Sequence, residues 1–163
     1  MTKIFLITLC FSLLLISCSK INIPSKEKPS LNYHTKNLSE LVSKNNIKIR
    51  LLDMNIYSEV VVDNEDIRII DDLLKSLKDS NFINEEPLPN KPLYKIFIDL
   101  NSEKYVIDIY GDDLITLYPW DSDVSKDYLS LKDIPNSFKL EPFCQYVFNK
   151  NNKKDIGFSS DLY

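Results

Sequence analysis

Glycine is nearly missing, with only Gly111 and Gly157 in 163 residues. Loops that cradle phosphate with bare backbone N–H groups need several glycines at fixed spacing, which argues against a P-loop or a dinucleotide fingerprint. Histidine is scarcer still, since His34 stands alone. Ser-His-Asp and Cys-His chemistry needs an imidazole fixed beside the nucleophile. His34 falls in a stretch read as a mobile spacer, a poor place for that role. Zinc hydrolases take two or three histidine ligands, so that class is disfavoured as well. No cofactor and no metal centre is expected, and no catalytic residue is assigned.

What is present begins with a targeting segment. Lys3 supplies a positive charge, and Ile4 to Ile16 form an apolar run broken by Thr8 and Ser12. Thirteen helical residues span roughly 20 Å, short of the roughly 30 Å hydrocarbon core of a bilayer. The run therefore reads as the apolar region of a signal peptide over residues 1–17.

Leu15-Ile16-Ser17-Cys18 resembles the lipobox of bacterial lipoproteins. The resemblance implies diacylglyceryl transfer to the Cys18 sulfur, palmitate-type acylation and cleavage just before it. It places the chain on the extracytoplasmic face of the cell membrane, held through lipid on Cys18. Ile16 is bulkier than the usual residue at that place. Two acyl chains, at about 0.8 kcal/mol per buried methylene, hold a protein where one chain would not. Of the three cysteines, Cys10 would leave with the signal and Cys18 would carry lipid. Cys144 remains, and beside Phe143, Tyr146 and Val147 it reads as a small buried apolar side chain.

Charge is uneven. Residues 19–46 hold five lysines against two glutamates, whereas residues 47–150 hold twelve Lys plus Arg against twenty Asp plus Glu. Anionic headgroups attract the basic part by about 1 kcal/mol per residue near the surface and repel the acidic part. This favours a lipidated basic tether over residues 18–37, a single domain over 38–150 and a polar tail over 151–163. Nucleic acid is excluded as a partner of the domain, because phosphate contact needs a basic face.

Within the domain, a short helix is expected near Asn37 to Lys44. Ile47-Lys48-Ile49-Arg50-Leu51 alternates with the period of a strand, and Ile56 to Val62 could return as a hairpin. Asp63 suits an N-cap for a helix at about 64–79, with Asp66 completing a weak capping box and Ile67, Ile70, Leu73, Leu74 and Leu77 on one face. After three prolines, Leu93–Leu100, Lys104–Tyr110 and Leu114–Tyr118 form a meander with short polar turns. Tyr128–Leu131 adds a short edge strand, and Pro142 opens a helix to Lys150. The expected fold is α+β: an antiparallel sheet in the order β-β-α-β-β-β-α, one face covered by the helix at about 64–79. This order resembles small clostridial-type lipoproteins of unknown function, which implies nothing about activity.

Three groups of residues bear on function. Carboxylates are the remaining acid–base groups, at Asp108, Asp112, Asp113, Asp121, Asp123 and Asp127, and a pair of them is what a glycosidase uses. Asp108 is unusual in lying mid-strand, where it is expected to face water near Lys95 and Asp99. Asp121, Asp123 and Asp127 share one loop, but its spacing misses the glycine and glutamate of a calcium-binding EF-hand. Tyr118, Trp120 and Tyr128 bring aromatic rings beside Asp121 and Asp123, with Tyr110 nearby. Trp and Tyr anchor interfaces and stack on sugars. These residues are the expected binding region of a non-enzymatic module for a protein, glycan or other cell-wall partner. The rival expectation is a carboxylate-dependent hydrolase of the cell envelope.

Overall fold

The structure is a computed structural model and describes residues 28–157 except Asn45 and Ser102, with side chains through Lys153. The signal segment, the lipobox with Cys18, and the start of the expected tether lie outside the described residues.

Helix α1 spans Tyr33–Val42. Strand β1, Lys48–Asp53, buries Ile49 and Leu51 and turns outward at Lys48 and Arg50. Asp53 Oδ1 accepts the N–H groups of Asn55 at 2.7 Å and Ile56 at 3.3 Å. This side-chain turn reverses the chain into β2, Ser58–Val61. Helix α2 covers Arg68–Ser76 and buries Ile70, Leu73 and Leu74. The two-residue strand β3, Phe82–Ile83, precedes β4, Tyr94–Asp99, β5, Lys104–Ile109, β6, Leu114–Pro119, and β7, Asp127–Ser130. Helix α3 spans Leu140–Gly157.

The strands form one antiparallel sheet of seven, in the order β2-β1-β4-β5-β6-β7-β3. Period-two alternation divides them into two faces. One face carries Ile49, Leu51, Ile96, Ile98, Ile107, Ile109, Ile115, Leu117 and Leu129. It forms a single cluster with Leu38 of α1, Ile70 and Leu73 of α2, and Leu140, Phe143, Cys144 and Val147 of α3. Fully burying each such side chain contributes about 1.5–3 kcal/mol. The other face carries Arg50, Phe97, Asp108, Tyr118 and Tyr128. The β5–β6 reversal passes through Gly111, whose φ of +137° lies in a region that side chains avoid.

The α+β class, the antiparallel sheet and the helix against one of its faces agree with the sequence reading. The helix expected near Asn37–Lys44 starts earlier, at Tyr33, and the strand expected at the edge over Tyr128–Leu131 is interior, because the unforeseen β3 pairs with β7 and takes the edge. The α2 helix is shorter than expected. Residues 64–67 form a turn, so the predicted caps Asp63 and Asp66 serve another partner. Together with Glu65 they accept from Lys150 Nζ at 3.0, 2.7 and 2.7 Å. This ties the start of α2 to α3. Ordered structure also reaches into both expected flanks. Helix α1 begins at Tyr33 with His34 and Thr35 buried, inside the stretch read as tether. Helix α3 continues past Lys150, into the stretch read as tail.

Candidate functional site

The helix-free face of the sheet is built around Asp108. Strand β5 sets Tyr105, Ile107 and Ile109 on the core side, which turns Lys104, Val106 and Asp108 to the other side. Register places Asp108 between Lys95 of β4 and Thr116 of β6. Its Oδ1 accepts from Lys95 Nζ, and its Oδ2 accepts from Lys126 Nζ at 2.9 Å and from the Tyr118 hydroxyl at 3.1 Å. The expectation that Asp108 faces water is overturned: it is 1% exposed. A carboxylate removed from water needs such partners, because an unpaired buried charge costs several kcal/mol.

Lys126 does more than pair. Its ammonium lies 4.0 Å from the centre of the Tyr118 ring, a cation–π contact on the same phenol that bonds Asp108. Burial raises the Tyr118 hydroxyl above the ordinary phenol range, and the negative charge of Asp108 adds to it. Burial and Asp108 likewise push Tyr110 up to about 12. Tyr128 is raised by burial and then by Glu85, which its hydroxyl bonds. These hydroxyls stay protonated and serve as donors.

A second row of the same face runs from Arg50 to Trp120. The Arg50 guanidinium lies 5.1 Å from the Phe97 ring, and the Phe97 and Trp120 rings are 5.6 Å apart at 59°. Arg50 donates to Glu59 at 2.9 Å and to Asp99 at 3.1 Å, and Lys104 pairs with Asp99 at 3.3 Å. Burial raises the Asp99 carboxyl, but Arg50 and Lys104 outweigh it and leave the group below its ordinary value. Trp120 extends the β5–β6 ladder by donating its N–H to Lys104 O at 2.8 Å. Its indole nevertheless stays 60% exposed.

Trp120 separates two open depressions. One, of about 320 Å³, is lined by Glu85, Tyr118, Trp120, Ser125, Lys126 and Tyr128 among others. The other, of about 390 Å³, includes Asn101, Glu103, Lys104, Trp120 and Asp121. A larger recess of about 660 Å³ lies elsewhere, between the end of α1 and the start of α2. It has no aromatic lining, and its Lys75 is paired with Asp71, so it offers less to recognise a ligand.

The structure thus brings Tyr118, Trp120 and Tyr128 together as expected, although Tyr128 is only 8% exposed. Asp121 and Asp123 are exposed on the loop between β6 and β7. Asp121 joins Trp120 in the second depression. Asp127 parts from them. It is fully buried and turned to the core side, where Thr35 and Lys28 bond it. Among the described residues, only Asp63, Glu65 and Asp66 place three carboxylates within reach of one ion, and Lys150 occupies their centre. The calcium-loop idea therefore finds no support at Asp121, Asp123 and Asp127. His34 is also relocated, from a mobile spacer to a site 2% exposed. Glu85, Arg50, Phe97 and Lys126 were missed. Strand parity would have found Arg50 and Phe97, but no local signal marks Glu85.

Comparison with known proteins places this geometry in a family. The sequence profile described as "Domain of unknown function (DUF4883)" matches residues 28–144. A crystal structure named "Putative Lipoprotein from Clostridium perfringens" is 95% identical. The match covers 75% of this chain and 98% of that one, with a TM-score of 0.71. No curated protein matches the sequence. The resemblance to clostridial-type lipoproteins of unknown function agrees with both matches.

Proposed function

This chain belongs to the DUF4883 family, and we propose that it is a lipid-anchored, non-enzymatic binding module on the outer face of the cell membrane. Lipid on Cys18 would hold it there, and the Trp120 face would recognise a protein or cell-wall partner. The supporting observation is the 60% exposure of Trp120 on a rim between two depressions. A tryptophan offers about 200 Å² for burial. Leaving more than half of it in water forgoes roughly 3 kcal/mol at about 25 cal/mol per Å². A partner that covers the ring recovers that energy. The Phe97 ring at 5.6 Å and the Lys104 ammonium at 6.0 Å hold the indole, so little ordering cost is added on binding.

The hydrolase alternative has less support. A general base must come within about 2.6–3.2 Å of the proton it takes. Both oxygens of Asp108 are engaged by lysines and Tyr118, and the group is 1% exposed.

A photo-crosslinking amino acid at position 120, irradiated in intact cells, tests the binding role. A discrete adduct at position 120, absent when the same group sits at exposed Asp133, is the expected result. Equal labelling at both positions contradicts the reading. Intact-mass measurement of the mature protein tests the tether: a chain that starts at an acylated Cys18 is expected, and an unmodified Cys18 contradicts it.

A further inference from the structure

The first residues that the structure describes are fastened to the loop that walls the candidate site. Lys28 Nζ donates to Asp127 Oδ1 at 3.0 Å, and also to the carbonyl of Lys126. Thr35 donates its N–H and its hydroxyl to Asp127 Oδ2 at 2.7 and 2.8 Å. His34 Nε2 lies 3.0 Å from Ser125 O. A carbonyl only accepts, so the neutral ring carries its proton on Nε2. The other nitrogen, Nδ1, is then a lone pair, buried and without a partner among the described residues. The loop that receives these bonds, Ser125 to Asp127, also sends Lys126 across to Asp108 and Tyr118.

We propose that His34 makes this clamp sensitive to acid: a proton taken from solvent by Nδ1 releases residues 28–35 from the Ser125–Asp127 loop and loosens the wall of the depression beside Trp120. The protonated ring has two donors and an acceptor for only one, so a buried N–H is left unmatched. The groups around it do not rescue the charge. Asp127 on β7 attracts the imidazolium, but its two oxygens already serve Lys28 and Thr35. Lys28 repels it. The Tyr33 ring stands edge-on at 5.2 Å on the same helix. On β5, the Tyr105 hydroxyl donates to Glu103. Burial lowers the His34 pKa first and Lys28 adds to that, while Asp127 and the Ser125 bond offset only part, leaving it below 6.5. The folded state therefore prefers the neutral ring. Its stability is whole above pH 6.5 and declines as pH falls below that value. The consequence at the depression rests on the binding role proposed above; the release of the clamp does not.

The test needs no ligand. Amide hydrogen exchange of the full chain is measured at pH 7.5 and pH 5.0, corrected for intrinsic rates. Protection of the Thr35 amide should fall about tenfold or more at pH 5.0 while that of Ile107 in β5 holds. His34→Gln, which can still donate to Ser125 O but takes no proton, should show equal Thr35 protection at both values. Thr35 tracking Ile107 overturns the proposal, as does a His34→Gln chain that loses protection like the wild type. If that variant does not fold, the single imidazole resonance decides: a midpoint below 6.5 is expected and one at or above 6.5 overturns it. Emission from Trp120, the sole tryptophan, should change with the same midpoint. Constant emission while the clamp opens overturns the coupling to the depression, whether or not a partner is ever found.

Discussion

Thr35 donates both its backbone N–H and its hydroxyl to one oxygen of Asp127, at 2.7 and 2.8 Å. The two residues are 92 positions apart, so the pair joins the start of the fold to its next-to-last strand in space. Asp127 is fully buried, and Lys28 takes its other oxygen. Bonds to a buried charge contribute about 1.5–3 kcal/mol each, and removing one side leaves the rest uncompensated. Asp127→Ala should therefore lose about 3 kcal/mol in urea unfolding of the full chain. Thr35→Val, which keeps the N–H bond, should lose about 1.5 kcal/mol, the low end of that range. Equal losses would show that the hydroxyl, not the carboxylate, dominates.

Asp108 sets a second expectation. With two ammonium groups and a phenol aimed at it, Asp108→Asn should cost about 2 kcal/mol of unfolding free energy. A solvated surface carboxylate would change stability by no more than about 0.5 kcal/mol. The same equilibrium measurement separates the two.

Glu141 gives a pH-dependent prediction of the opposite sign to His34. Burial raises its carboxyl above 4.5, Asp112 adds to this, and a bond from Gln145 offsets part. The folded state thus prefers the protonated acid, and stability present below the ordinary carboxylate range is lost as pH rises through the raised value. Glu141→Gln removes that penalty. It should raise the melting temperature at pH 7, with the gain shrinking as pH approaches 4. A gain that persists at pH 4 would point to another cause.

Lys150 gathers Asp63, Glu65 and Asp66 at 3.0, 2.7 and 2.7 Å. Its ammonium is reachable by solvent, so salt screens the cluster. Lys150→Met should lower the melting temperature at low ionic strength, and the difference should narrow in 1 M salt. Thermal unfolding at both salt levels checks this.

Much of the fold was legible because strand parity and helix periodicity are strong local signals. Ile49 and Leu51 pointed inward, as alternation required, and Ile70, Leu73 and Leu74 marked the buried stripe of α2. The aromatic cluster at Tyr118, Trp120 and Tyr128 could be read for the same reason: β6 and its neighbours set its spacing. The boundaries were not legible. Thr35, His34 and Lys28 look like spacer residues, since polar side chains near prolines usually stay in water. Only the distant Asp127 turns them into core contacts. Asp127 in turn looked like one of three loop aspartates, and nothing in its neighbourhood tells that it faces inward. The caps predicted at Asp63 and Asp66 failed because Lys150, 84 residues from Asp66, competes for the same carboxylates.

Trp120, 60% exposed, is proposed to serve recognition and not the fold. The most direct measurement compares Trp120→Ala with the wild-type chain in two readings: urea unfolding, and retention of the soluble protein on isolated cell envelopes. Unfolding free energies within about 1 kcal/mol are expected, with retention reduced at least about tenfold, which corresponds to about 1.4 kcal/mol of binding. Unchanged retention, or a variant that unfolds, would contradict that role.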